Sequence, residues 1–369
     1  MNICIVVGAR PNFMKVAPII RALQKAQQQG RDVVFQLVYA GRKDDLTLDD
    51  SLFENLEISR PEVYMDVDCE NLNELTGQVM SKFEHYLQHR PTDVVIVVDD
   101  LASTMAAAIV TKKQGVTLAH IAAGTRSFDI SMPKEINRLV IDGLSDILFT
   151  AGMSNNSIAN REGAELSKVY MVGNILIDNI RFLRDRMKMP NLVQQYGLQE
   201  KGYMVFTMNR KVLIADTDNL QKMIKSIVDN AAGTPVIASL RKKAKEVVEE
   251  ILRSNNISSS LFRIIEPQSY LSFSWLTAHA RGIITDSGNV AEEATFNGVP
   301  CITLNSYTEH IETVKQGTNV LVGENAEMLA KMVADMVSCK WKQGSIPDRW
   351  DGRSAERILQ ILLDYHKKD

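Results

Sequence analysis

The 369-residue chain has four cysteines, and no two of them form a Cys-x-x-Cys pair. Cys4, Cys69, Cys301 and Cys339 lie far apart, which excludes a disulfide framework or a zinc ribbon and leaves reduced, mostly buried thiols. No apolar run approaches the ~18 residues that a bilayer span requires. Residues 1–7 run directly into a strand, without the basic start and long apolar stretch of a signal peptide, so a cytoplasmic protein is expected. Basic charge is not in excess: 42 Lys and Arg stand against 45 Asp and Glu, a formal net charge of −3. That excludes a nucleic acid or a membrane surface as partner, since either needs a basic stripe. The six histidines are scattered, no His/Cys/acid cluster has metal-ligand spacing, and no Gly-x-Ser-x-Gly elbow occurs. Neither a metal nor another cofactor is expected.

What is present is an ordinary globular balance, 45% apolar and 24% charged residues, over a length that suits two domains. Short β-branched apolar runs alternate with longer amphipathic stretches, the pattern of parallel sheets with crossover helices. The first series places strands at 3–7, 33–39, 94–98, 117–121, 147–150 and 169–172, with helices near 14–29, 72–88 and 103–114. A second series begins at 203–207 and continues through 236–239, 262–265, 282–285 and 301–304. The spacing predicts two Rossmann-like, doubly wound parallel-sheet domains facing a cleft. The expected boundaries are 1–178, a helical hinge at 179–201 carrying Pro190, a second domain at 202–349, and a C-terminal segment at 350–369 able to pack back on the first domain. Doubly wound sheets bind ligands at the carboxyl ends of their strands, so the loops after each strand carry the candidates.

Gly8-Ala9-Arg10-Pro11-Asn12 follows the first strand and opens a helix. Gly8 permits close backbone approach, and Arg10 and Lys15 can add cationic contacts to phosphate, although a plain βα turn has the same composition. Thr285-Asp286-Ser287-Gly288-Asn289 is a stronger candidate, because a strand, a small-residue turn and a helix follow one another as anion sites require. Ser287 and Gly288 can cap that helix, and Glu292 or Glu293 can accept hydrogen bonds from the paired hydroxyls of a ribose. Asp99 and Asp100 close an apolar strand, where a carboxylate can act as a base, bind a hydroxyl or cap the next helix. Lys134 and Arg138 lie four residues apart on one helical face, suited to an anion or to solvent. His120, inside a strand, reads as a satisfied core histidine, whereas His310 lies in a loop after a strand and is the better site candidate.

Read together, these loops resemble the non-hydrolysing UDP-N-acetylglucosamine 2-epimerases through essentially the whole chain. The likeness is clearest in Gly8-Ala9-Arg10-Pro11, residues 119–129, residues 131–138, Val172-Gly173-Asn174, Asp286-Ser287-Gly288 with Glu292-Glu293, and Thr308-Glu309. Trp350-Asp351-Gly352 and Ala355-Glu356-Arg357-Ile358 fit it too. The resemblance implies a pair of Rossmann domains arranged as in GT-B glycosyltransferases, usually dimeric, with UDP on the C-terminal domain and the sugar facing the N-terminal one. It also implies a reaction without redox or metal cofactor. An acid–base pair removes the C2 proton, UDP leaves C1, and the glucal intermediate is rebuilt with inverted C2.

Asp100, Arg138, Arg10 and Lys15 match family site positions, and other positions depart from the pattern. A family glutamate is Ala122 here, within His120-Ile121-Ala122-Ala123-Gly124, and a second is Lys134. Two family histidines are Asn209 and Arg241, and Asp-Ser-Gly-Gly has become Asp-Ser-Gly-Asn at Asn289. The expected catalytic set is Asp100, Arg138 and Lys134. Arg10, Lys15, Asn209, Arg241, Ser287, Gly288, Asn289, Glu293 and His310 are expected to bind UDP or a UDP-HexNAc. Alanine transfers no proton and lysine reverses a charge, so ordinary epimerisation should be weak, altered or lost while nucleotide binding survives. The alternatives are an inactive regulatory paralogue, as a homodimer or a heteromer with an active epimerase, and a GT-B-type transferase using a UDP-sugar donor.

Overall fold

The computed structural model describes residues 1–163 and 168–366. The chain forms two compact units, Met1–Phe182 together with Asp348–Asp369, and Leu183–Pro347. Residues 367–369 of the expected C-terminal segment lie outside the described residues.

The first unit runs β1 (Asn2–Val7), α1 (Arg10–Gln28), β2 (Val34–Tyr39), α2 (Asp50–Leu56), β3 (Val63–Tyr64), α3 (Leu72–His89) and β4 (Val94–Val98). It continues through α4 (Ala102–Lys113), β5 (Thr117–Ala123), α5 (Pro133–Leu144), β6 (Ile147–Thr150), α6 (Met153–Gly163), β7 (Lys168–Met171) and α7 (Ile175–Leu183). Its seven parallel strands lie in the order β3-β2-β1-β4-β5-β6-β7. Successive residues of a strand point to opposite faces. Ile3, Ile5 and Val7 of β1 enter one apolar layer with Val94, Ile96 and Val98 of β4, and Cys4, Val6, Val95 and Val97 enter the other. With both faces covered, the strands read as unbroken apolar runs.

The second unit contains α8 (Asn191–Gln195), β8 (Met204–Thr207), α9 (Lys211–Ala215), α10 (Thr217–Asn230), β9 (Val236–Ser239), α11 (Lys242–Ser254) and β10 (Phe262–Ile265). Then come α12 (Tyr270–Ala278), β11 (Gly282–Thr285), α13 (Gly288–Asn297), β12 (Cys301–Thr303), α14 (Ile311–Lys315), β13 (Asn319–Leu321) and α15 (Ala326–Val337). Its six parallel strands lie in the order β10-β9-β8-β11-β12-β13. The last helix, α16 (Ser354–His366), belongs to the first unit, where Ile358 and Leu362 join the layer under α1. Trp350 is buried there and donates its indole N–H to the Ala151 carbonyl at 3.0 Å. Asp178 of α7 accepts the backbone N–H groups of Ser354 at 3.1 Å and Ala355 at 2.8 Å, which fixes the start of α16.

Strand order reverses between β1 and β4 in one sheet and between β8 and β11 in the other. At such a switch point the flanking loops splay apart and leave a crevice. The candidate loops, at residues 8–12, 99–100, 208–210 and 286–289, are those that leave these four strands.

Three expectations change. The 179–201 hinge is not one helix: α7 ends in a 3-10 turn at Arg184–Arg186, and Pro190 stands just before the short α8. Proline disfavours helical backbone in the residue before it, so the break falls there. Of the cysteines only Cys4 and Cys301 are buried, which pushes their thiols up to about 12, while Cys69 is half-buried and Cys339 exposed. The strands β3 and β13 were not anticipated. No described helix is long and apolar enough to cross a membrane.

Candidate functional site

At the β1–α1 turn the backbone is already occupied. Asn12 turns its side-chain oxygen back to accept the Gly8 N–H at 2.9 Å and the Ala9 N–H at 3.2 Å, satisfying two amides at the helix entrance. A Cβ on Gly8 would fall on the Ser103 hydroxyl, so the open approach expected at Gly8 is taken by this buried serine. The Asn12 amide donates to Asp99 at 3.0 Å and the Lys15 ammonium meets the other Asp99 oxygen at 2.5 Å. Burial works to raise the Asp99 pKa, but Lys15 and Asn12 outweigh it and hold the carboxyl below its ordinary value. Arg10 is exposed and turned to the Thr47 carbonyl and Asp49, both at 2.6 Å. Neither aspartate caps α4, whose N-cap residue is Leu101.

The next loops bring the three expected catalytic residues together. Arg138 gives its Nε at 2.9 Å and Nη2 at 2.5 Å to one oxygen of Asp100, and the Lys134 Nζ stands 3.5 Å from the other. Beneath them Glu135, which sequence reading missed, accepts from the Ser127 N–H, the Ser127 hydroxyl, the Phe128 N–H and Arg138. Burial opposes ionisation of Glu135, and these donors still keep its pKa low. The result is a pinned loop in which Phe128 takes a left-handed backbone at φ 60° and projects an exposed ring.

At the end of β5 the pairing slips between Ile121 and Ala123, and Ala122 adopts φ 67°. Such a bulge re-aims the chain and usually costs about 1–2 kcal/mol for a residue with a Cβ. A buried hub holds it. Asp142 of α5 accepts from the His120 ring at 2.6 Å, the Gly124 N–H at 3.0 Å and Arg126 at 2.7 Å. The other His120 nitrogen meets the Asp99 carbonyl at 3.0 Å, so this histidine is satisfied in the core. Asp142 was not anticipated either, because its partners lie 16 to 22 residues away in sequence.

In the second unit Asp286 accepts the backbone N–H groups of Asn209 at 2.7 Å and Arg210 at 2.6 Å, tying the β8 loop to the β11 loop. Arg210 continues to Asn305 at 2.6 Å. The Asn209 side chain is exposed, as is Arg241 at the start of α11. Ser287 stands at the N-cap of α13, yet its hydroxyl makes no cap bond, which corrects the expected capping role. The first intrahelical bond there runs from Ala291 N–H to the Ser287 carbonyl, so the amides of Gly288, Asn289 and Val290 point out of the helix end. The His310 ring lies against Gly288, its Cδ2 3.0 Å and its Nε2 3.2 Å from where a Cβ would stand, and its Nδ1 meets Glu292 at 2.9 Å. Glu292 is therefore engaged by His310 in this structure. Glu293 is buried, receives the Tyr270 hydroxyl at 3.3 Å, and is pushed up to about 8 by burial, with Glu292 adding to the rise against the Tyr270 bond.

Among solved structures, Methanocaldococcus jannaschii UDP-GlcNAc 2-epimerase in complex with UDP-GlcNAc and UDP matches with a TM-score of 0.81 at 33% identity, covering 98% of this chain and 99% of that one. The UDP co-structure of Staphylococcus aureus MnaA matches at 0.86 and 26%, covering 99% and 97%. The fold is thus a two-unit, parallel-sheet α/β protein of the GT-B-like class.

The sequence narrows this further. Residues 25–363 match the family model for UDP-N-acetylglucosamine 2-epimerase. The M. jannaschii UDP-N-acetylglucosamine 2-epimerase is 34% identical over 98% of this chain and 99% of its own length. A Pseudomonas aeruginosa UDP-2,3-diacetamido-2,3-dideoxy-D-glucuronate 2-epimerase is 31% identical over 98% and 99%. The chain belongs to the UDP-N-acetylglucosamine 2-epimerase family.

Proposed function

We propose that this chain binds a UDP-HexNAc and has lost most of the family's proton transfer at the sugar's C2. Unit 2 takes the uridine diphosphate, with the outward amides of α13 on the pyrophosphate and Glu293 near the ribose hydroxyls. Asp100, Lys134 and Arg138, which stand together in unit 1, are the residues proposed to correspond to the family's catalytic set. The relatives named for UDP-sugar epimerases, one of them solved with UDP-GlcNAc and UDP, support the ligand.

One observation carries the loss of chemistry. The buried or half-buried carboxylates Asp99, Asp100, Glu135 and Asp142 around the β4, β5 and α5 loops are each held by a cation, the exposed Asp129 is bonded to Ser131, and position 122 offers a methyl group. A carboxylate that lifts a carbon-bound proton must be free to meet it, and one such group is worth about 10²–10⁴ in rate.

The test is C2 hydrogen exchange on UDP-GlcNAc in deuterated water. Exchange should run at least about a hundredfold below that of an active family member, and the double substitution Ala122→Glu, Lys134→Glu should raise it. Exchange at the rate of the active relative would overturn the proposal. A thermal shift with UDP tests binding separately, since a ligand of the native state raises Tm.

A further inference from the structure

We propose that His85 and His89 on α3 form a binding site for a divalent transition-metal ion of the cobalt, nickel and zinc class. Neither residue belongs to the set assigned to the UDP-sugar, so the site stands or falls independently of that reading.

The helix sets the pair. Residues four apart share one face, and on α3 the imidazole centroids of His85 and His89 lie 4.3 Å apart with planes tilted at 43°. Both residues are exposed. The histidines that read as scattered along the chain therefore include two in register on one helical turn. The backbone decides which nitrogen His89 offers. Its Nδ1 stands 2.8 Å from the His85 carbonyl. A carbonyl only accepts, so Nδ1 carries the hydrogen and the neutral ring keeps the Nε2 lone pair for a ligand. Metal-binding histidines ordinarily donate their second ring nitrogen in this way, which holds the ring and raises its basicity.

The place on the helix adds to this. His89 lies in the last turn of α3, where carbonyls without intrahelical partners form the negative end of the helix dipole and favour a cation. Lys82, the cation one turn before His85, is held at the Asp66 carbonyl at 2.7 Å. Two nitrogens each about 2.0–2.1 Å from one ion stand roughly 3 Å apart, within reach of rings at this spacing. Among the described residues no three metal-ligating side chains converge. The chain therefore supplies two ligands, and water fills the remaining positions. Imidazole suits the later first-row ions, whereas calcium and magnesium take oxygen ligands.

The full chain, stripped of metal, is titrated calorimetrically with Co²⁺, Ni²⁺, Zn²⁺ and Mg²⁺ in a buffer that does not chelate. Binding should saturate, Ni²⁺ should bind more tightly than Co²⁺, and Mg²⁺ should not bind. Loss of an outer partner alone costs a metal site about 10–100-fold in affinity, so His85→Gln and His89→Gln should each cost at least as much. Both variants should keep the metal-free Tm of the native chain, because the side chains they replace are exposed. Ni²⁺ should raise the Tm of the native chain and not of the double variant, since the two rings converge only in the folded helix. In NMR spectra Zn²⁺ should shift the ring nitrogens of both histidines. The absence of saturable binding by the native chain would overturn the inference. So would affinity that survives the double substitution, which would put the ion elsewhere, or a shift confined to one ring, which would leave a lone histidine as ligand.

Discussion

Asp142 sits on α5, yet every group it binds belongs to the chain between His120 and Arg126. Removing one member of a buried ion pair strands the others, so Asp142→Ala should cost about 3–5 kcal/mol in urea unfolding. Burial opposes the charge on Asp142, and the His120 and Arg126 contacts depress its pKa all the same. A depressed carboxyl contributes stability above its unfolded pKa of about 3.9 and loses it as pH falls through the folded value. The gap between the native chain and Asp142→Ala should accordingly close in acid. Glu293 has the opposite sign. Its folded pKa of about 8 lies above the ordinary carboxylate value, so its contribution is complete in mild acid and is lost as pH rises toward 8. Glu293→Gln should flatten the fall in stability between about pH 4.5 and 8, a slope of at most about 1.4 kcal/mol per pH unit. An unchanged slope would show that the acid ionises freely.

Helices and strands were the legible scale of this sequence, because period-2 and period-3.6 patterns are local. The strands Val94–Val98, Ile147–Thr150, Val236–Ser239, Phe262–Ile265 and Gly282–Thr285 fall where the apolar runs place them. The edge strands Val63–Tyr64 and Asn319–Leu321 escaped, since two or three residues carry no period. Asp100 was legible because it follows the apolar run of β4, and Arg138 from its four-residue spacing to Lys134, whereas Asn12, Ser103, Glu135 and Asp142 were not. Asn12, Ser103 and Asp142 work through partners brought near by the sheet, as Asn12 meets Asp99 across the strand order, and Glu135 is held by Ser127, Phe128 and Arg138, no more than eight residues away. Gly8 tests this at the level of two elements: its missing side chain is where the start of α4 comes close to the end of β1. Gly8→Ala should lose about 1–3 kcal/mol by overpacking, and Ser103→Ala in the same chain should return part of it. An additive double mutant would mean that the two residues do not share the space.

The two units differ in how the chain builds them. Leu183–Pro347 is one continuous stretch, whereas the first unit is completed by Asp348–Asp369. A chain ending at residue 347 should therefore keep the β8–β13 sheet and lose the first unit. Ile358 and Leu362 would no longer cover α1, Trp350 would leave its pocket, and Asp178 would be left buried without the amides it accepts. Calorimetry should show one surviving transition, and amide exchange should assign it to residues 183–347. Two surviving transitions would mean that α16 is dispensable.

This stitching sets an order for folding on the ribosome. Domains ordinarily fold from the N-terminus as they emerge. Here every strand of the later unit has been synthesised before the helix that closes the earlier one exists. The flank of α1 that α16 will cover must wait with its apolar side chains open to the cell, and during that interval the nascent protein is most in need of a chaperone.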